Sequence, residues 1–141
     1  MKLLVLFVCL AGLAPAGCSV VQFGSMIELK TGKHALAYNG YGCHCGLGGS
    51  KQPVDGTDRC CHAHDCCYKR ISSLRCIPHL VIYNFSTKGG QISCGPGDLC
   101  QKSACKCDKK AAECFKRNLH TYNRSYQNYL NIRCKGSKPS C

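Results

Sequence analysis

The stretch Asp58-Arg-Cys-Cys-His-Ala-His-Asp-Cys-Cys-Tyr68 decides how the rest of the chain is read. Pro53-Val-Asp-Gly-Thr-Asp58 leads into it, and Thr57 or Asp58 is the expected N-cap of a helix over 59–73. On that helix Cys61, His64, Asp65 and Tyr68 recur at i, i+3, i+4 and i+7 and share one side. The density of Cys and His raises zinc, which takes thiolate and imidazole in tetrahedral array. The spacing argues against it, because adjacent Cys pairs and a His-x-His on one helix do not form two Cys-x-x-Cys knuckles. Asp65 instead offers a hard oxygen ligand. His64 lies about 100° further round the helix and is free to face a second site.

Upstream, Tyr38 to Gly49 holds five glycines in twelve positions and reads as a tightly folded loop. Such a loop offers backbone carbonyls at φ values that glycine permits. Calcium takes about six to eight oxygens at about 2.3–2.6 Å. A disulfide from Cys45 to Cys61 would hold the loop beside Asp65. His64 suits general-base work, since imidazole titrates near neutral pH. Its orienting acceptor is expected to be Asp108 on a third helix over 103–121, with Tyr68 and Tyr83 as further partners of that acid. His62 reads as an ordinary surface residue, and His34, His79 and His120 as structural ones.

The chain has 141 residues, 16 cysteines, 19 Lys+Arg and 7 Asp+Glu, with a formal net charge of +12. One domain is expected at this length. Cysteine at about 11% marks a disulfide scaffold and an oxidising compartment. The charge excludes an acidic solvating tail and points to an anionic partner: headgroups, sulfated glycans or nucleic acid. Residues 1–18 carry Lys2, an apolar run over Leu3–Leu13 and a small-residue zone at Ala16-Gly17-Cys18. They read as a secretory signal peptide cleaved after Cys18, too short to span a bilayer. Its removal takes away Cys9, Cys18 and Lys2, leaving residues 19–141 with 14 cysteines and a net charge of +11. The remaining elements are a short amphipathic helix near 21–30, a hairpin over 81–93 turning at Lys88-Gly89-Gly90, and an extended basic tail. Asn84-Phe-Ser86 and Asn123-Arg-Ser125 are glycosylation sequons.

Taken together, YGCHCGLGG (41–49), CCHAHDCCY (60–68) and CKCD (105–108) resemble the group II secreted phospholipase A2 family. The 14-cysteine framework, the extension ending in Cys141, VQFGSMIE (21–28) and TYNRSY (121–126) add to the resemblance. The whole chain is nearest the E subtype, and its CHCGLGG loop is similar to the D subtype. The resemblance implies a mainly α, disulfide-rich fold: two long antiparallel helices, an N-terminal helix, a calcium loop and a small β-hairpin wing. It implies calcium-dependent hydrolysis of the sn-2 ester of glycerophospholipids at membrane interfaces. His64 falls on the catalytic base, Asp108 on the acid that orients it, and Tyr68 and Tyr83 on the supporting network. Asp65 and the carbonyls of His44, Gly46 and Gly48 fall on the Ca²⁺ ligands, with the Gly46 N–H as an oxyanion donor. The implied bridges are 43–134, 45–61, 60–114, 66–141, 67–107, 76–100 and 94–105. His44 stands where many members carry Tyr, and Arg59 where related chains often carry Trp.

Partners follow from the same reading. The first helix, with Val21, Phe23 and Met26, is the expected rim of a hydrophobic channel. Lys109, Lys110, Lys116, Arg117, Lys135 and Lys138 favour an anionic phospholipid membrane surface, or heparan sulfate-type glycans. The alternative is a catalytically silent cationic ligand that binds glycans, membranes or a receptor. The intact His64 and Asp65 argue against it. A nucleic-acid binder ranks below both, since the aromatics do not interleave with the basic residues.

Overall fold

The computed structural model describes residues 19–46 and 48–141, so the leader expected over 1–18 lies outside the described residues. Three helices carry the fold: α1 (Ser19–Thr31), α2 (Gly56–Ile71) and α3 (Leu99–Arg117). Between α2 and α3, β1 (Phe85–Lys88) pairs antiparallel with β2 (Gln91–Cys94), with Phe85 opposite Cys94 and Lys88 opposite Gln91. The turn is Gly89-Gly90, both at positive φ. After α3 the chain runs through single 3₁₀ turns at 119–121, 124–126 and 131–133. Among the described residues no helix is long and apolar enough to cross a membrane.

The boundaries move for identifiable reasons. The N-cap of α2 is Asp55, whose side chain accepts from the backbone N–H of Asp58, and neither Thr57 nor Asp58 takes that role. The third helix begins at Leu99 because Asp98 and Gln101 form a reciprocal capping box there. It ends at Asn118, whose backbone N–H closes on the last carbonyls.

Two bridges lock the long helices together, Cys60–Cys114 and Cys67–Cys107. The higher-numbered partner on α2 meets the lower-numbered one on α3, so the helices run antiparallel. The other bridges are Cys43–Cys134, Cys45–Cys61, Cys66–Cys141, Cys76–Cys100 and Cys94–Cys105. All seven are the pairs that the family resemblance implies. Each restricts the unfolded chain more as its loop lengthens. Cys43–Cys134, at a sequence separation of 91, ties the glycine loop to the tail.

The core falls into two clusters. Ile27, Tyr38, Tyr41, Cys60 and Phe115 pack beneath the glycine loop. Met26, Tyr83, Ile92, Ala104 and Ala112 pack between α1, the hairpin and α3. The small residues Ala104 and Ala112 let α3 approach its neighbours closely. His62 is no surface residue: it is 8% exposed, with its ring edge-on to His44 at 5.0 Å and its Nε2 3.7 Å from Cys66 Sγ. His62, Cys66 and Cys141 lie at metal-ligand spacing, but both sulfurs are consumed in one bridge and cannot act as thiolates.

Candidate active site

His44, Gly46, His64, Asp65 and Tyr68 line one cavity, with Val20, Phe23, Ile27, Leu36 and Phe115 supplying apolar walls. The α1 residues on that wall are Val20, Phe23, Gly24 and Ile27, the i, i+3, i+4, i+7 set of one helix face. This phase corrects the expected rim. Met26 is 0% exposed and sits beneath the Tyr83 hydroxyl at 3.9 Å, while Val21 is turned to solvent away from the lining. His79, read from sequence as structural, also lines the cavity, edge-on to Tyr68 at 4.9 Å. Gly48 is described but does not line it.

Behind the cavity, Asp108 is 0% exposed on the inner face of α3. His64 Nε2 lies 2.7 Å from Asp108 Oδ1. The Tyr68 hydroxyl donates to the same oxygen at 2.6 Å, and the Tyr83 hydroxyl donates to Oδ2 at 2.7 Å. Three donors thus converge on one buried carboxylate, which satisfies the charge that burial would otherwise make costly. Burial, followed by the Asp108 charge, pushes both phenols well above their ordinary pKa and keeps them protonated. With Asp108 accepting at Nε2, the proton of neutral His64 resides there and Nδ1 is left as the basic nitrogen.

Phe23 holds the ring from the other side. Its ring stacks on His64 at 4.4 Å and 18°, and Tyr68 meets the same imidazole at 4.2 Å. The imidazole is therefore fixed by two rings and one charge-assisted hydrogen bond. The spacing of Phe23 within α1 pointed to an apolar face but carried no signal for a stacking partner in another helix.

The glycine loop is held by a residue that sequence reading assigned elsewhere. Asp58, 0% exposed, accepts from the backbone N–H groups of Cys43 and His44, each at 2.8 Å, and of Val54 at 2.9 Å. Gly42 makes room for it: at φ +60 it needs no side chain, and a Cβ there would lie 2.5 Å from Asp58 Cγ. Cys45–Cys61 then anchors the loop to α2 one turn ahead of Asp65. The His44 side chain points away from this work, with Nε2 2.8 Å from the carbonyl of Lys51.

The family profile described as Phospholipase A2 matches residues 20–127. Group IIE secretory phospholipase A2 of Mus musculus is 54% identical over 100% of both chains. Its namesake from Homo sapiens is 54% identical over 96% of this chain and 94% of its own. Basic phospholipase A2 caudoxin of Bitis caudalis is 44% identical over 87% of this chain and its own full length.

Proposed function

This chain belongs to the phospholipase A2 family, and from that premise we propose that it hydrolyses the sn-2 acyl ester of glycerophospholipids at membrane interfaces, releasing a free fatty acid and a lysophospholipid. The observation that carries the reading is the 2.7 Å contact of His64 with the buried Asp108, set into a cavity with apolar walls. Asp108 accepts the Nε2–H and holds the imidazole in the tautomer that leaves Nδ1 as the proton acceptor. His64 Nδ1 takes a proton from water as that water attacks the ester carbonyl. The same nitrogen returns the proton to the departing alkoxide. Tyr68 and Tyr83 hold the Asp108 carboxylate in place through their hydroxyls. The apolar walls take the acyl chain and exclude bulk water from the base.

The donor chemistry fits calcium. Asp65 gives a carboxylate and His44, Gly46 and Gly48 give carbonyl oxygens, all hard ligands. Gly46 and Gly48 stand at φ +129 and +61, conformations open to glycine that turn the loop backbone. When bound, calcium supplies positive charge for the lipid phosphate and for the oxyanion that develops at the ester. The Gly46 N–H is the second oxyanion donor in this reading.

The net charge of +11 on residues 19–141 supports anionic membrane surfaces as the working partner, with heparan sulfate-type glycans as a second anionic target. Lys110, Lys116, Arg117, Lys135 and Lys138 are exposed. Seven disulfides among the described residues and the leader pattern over 1–18 support an extracellular location. Release of sn-2 fatty acid from anionic phospholipid vesicles, in millimolar calcium and in EGTA, tests the function. Release in calcium alone is expected. No release on several headgroups from correctly oxidised protein would favour the silent ligand instead.

A further inference from the structure

The two sequons sit in different bonding environments. Asn123 is exposed and opens the 3₁₀ turn at 124–126. Its Oδ1 accepts from the Ser125 backbone N–H at 2.9 Å and from the Ser125 hydroxyl at 2.8 Å. All of its side-chain bonding is therefore on the oxygen. Among the described residues Nδ2 has no hydrogen-bond partner, so a substituent there displaces nothing. At Asn84 the nitrogen is engaged: Nδ2 donates to the Pro96 carbonyl at 3.2 Å across the base of the hairpin. The same base is closed by Gly95 N–H to the Asn84 carbonyl at 2.7 Å. A Cβ on Gly95 would come within 3.0 Å of Asn84 Cβ, so space there is short.

We propose that Asn123 carries an N-linked glycan. The inference rests on the reading that the chain enters the secretory pathway. In the step, a bond forms between Asn123 Nδ2 and C1 of an N-acetylglucosamine from a lipid-pyrophosphate oligosaccharide donor. The C1–O bond to pyrophosphate breaks, the pyrophosphate leaves with the bonding pair, and the displaced Nδ2 proton passes to base. No oxidant or reductant is involved. Both Oδ1 hydrogen bonds survive, because the product amide keeps its carbonyl. None of residues 119–141 lines the active-site cavity. A glycan on Asn123 thus leaves the cavity lining untouched, and vesicle hydrolysis should be the same with and without it.

The test uses the full chain secreted from mammalian cells. Protein recovered from the medium is treated with N-glycanase in ¹⁸O-water, digested and analysed by mass spectrometry. Conversion of Asn123 to ¹⁸O-labelled Asp is expected. Asn123→Gln and Ser125→Ala should lose that modification, and Ser125→Thr, which keeps the sequon, should retain it. Unmodified Asn123 in protein taken from the medium would overturn the proposal while leaving the secretory reading intact. Protein confined to the cytosol would overturn both.

Discussion

Asp58 Oδ1 lies 2.8 Å from the backbone nitrogen of His44, and with Oδ2 on Cys43 this side chain fixes the start of the glycine loop. Three backbone N–H groups depend on that carboxylate, those of Cys43 and His44 buried and that of Val54 partly buried. Leaving a buried donor unsatisfied costs about 1–3 kcal/mol. Asp58→Ala should therefore lower the unfolding free energy by about 3 kcal/mol or more and weaken calcium binding. Guanidinium unfolding with the bridges intact, together with calcium titration, reads both. Unchanged calcium affinity would show that the loop keeps its shape without Asp58.

Removing a hydroxyl from the Asp108 network should affect stability more than rate. Tyr68→Phe or Tyr83→Phe removes one hydrogen bond to a charged acceptor, worth about 1.5–3 kcal/mol. His64 still holds Asp108 in either variant, so kcat on vesicles should fall by less than about tenfold, or about 1.4 kcal/mol. The double variant should lose more than either single one. A hundredfold loss from one variant alone would mean that the phenol acts on the reacting atoms.

Alkaline pH acts on the same two phenols through folding. Their pKa values are raised in the fold, so their contribution is fully present below the unfolded value of about 10 and declines as pH rises above it. The unfolded chain releases these protons near pH 10 while the folded chain keeps them. Stability should fall with pH there, and Tyr83→Phe should flatten the slope by about 1.4 kcal/mol per pH unit. Unfolding midpoints at intervals from pH 9.5 to 11.5, variant against wild type, check it. Identical slopes would contradict the burial of the Tyr83 hydroxyl.

Phe23 predicts a different signature. Aromatic stacking is worth about 0.5–1.5 kcal/mol beyond buried area, and Phe23 also forms part of the cavity wall. Phe23→Ala should lower kcat and raise apparent KM while calcium affinity is unchanged. Phe23→Tyr, which keeps the ring, should recover most of the rate. Failure of the ring to rescue would separate the stacking from the activity.

The contrast between Asp58 and Asp108 shows which parts of the molecule can be read without coordinates. Asp108 is legible because the CKCD motif, on a helix with clear periodicity, falls on the acid that orients the base in the family the chain resembles. Asp58 looks like an ordinary N-cap, because Thr-Asp before an apolar-periodic run is what a cap looks like locally. Two of its three backbone partners lie 14 and 15 residues away, and only the folded loop brings them within reach. Met26 and Val21 fail as rim residues for a related reason. A ten-residue apolar pattern identifies a helix but leaves its rotation against α3 open. His62 is buried beside the His44 ring and the Cys66–Cys141 bridge, and a loop residue and the chain terminus are contacts that its helix neighbours do not signal.

The most direct test of the account is the variant His64→Gln, assayed for both calcium binding and vesicle hydrolysis. Gln keeps a polar side chain at this position but cannot act as a base at neutral pH. Hydrolysis should fall by about 10²–10⁴-fold, the usual contribution of a positioned base. Calcium affinity should stay at the wild-type value. Full turnover by His64→Gln would contradict the assignment of the base.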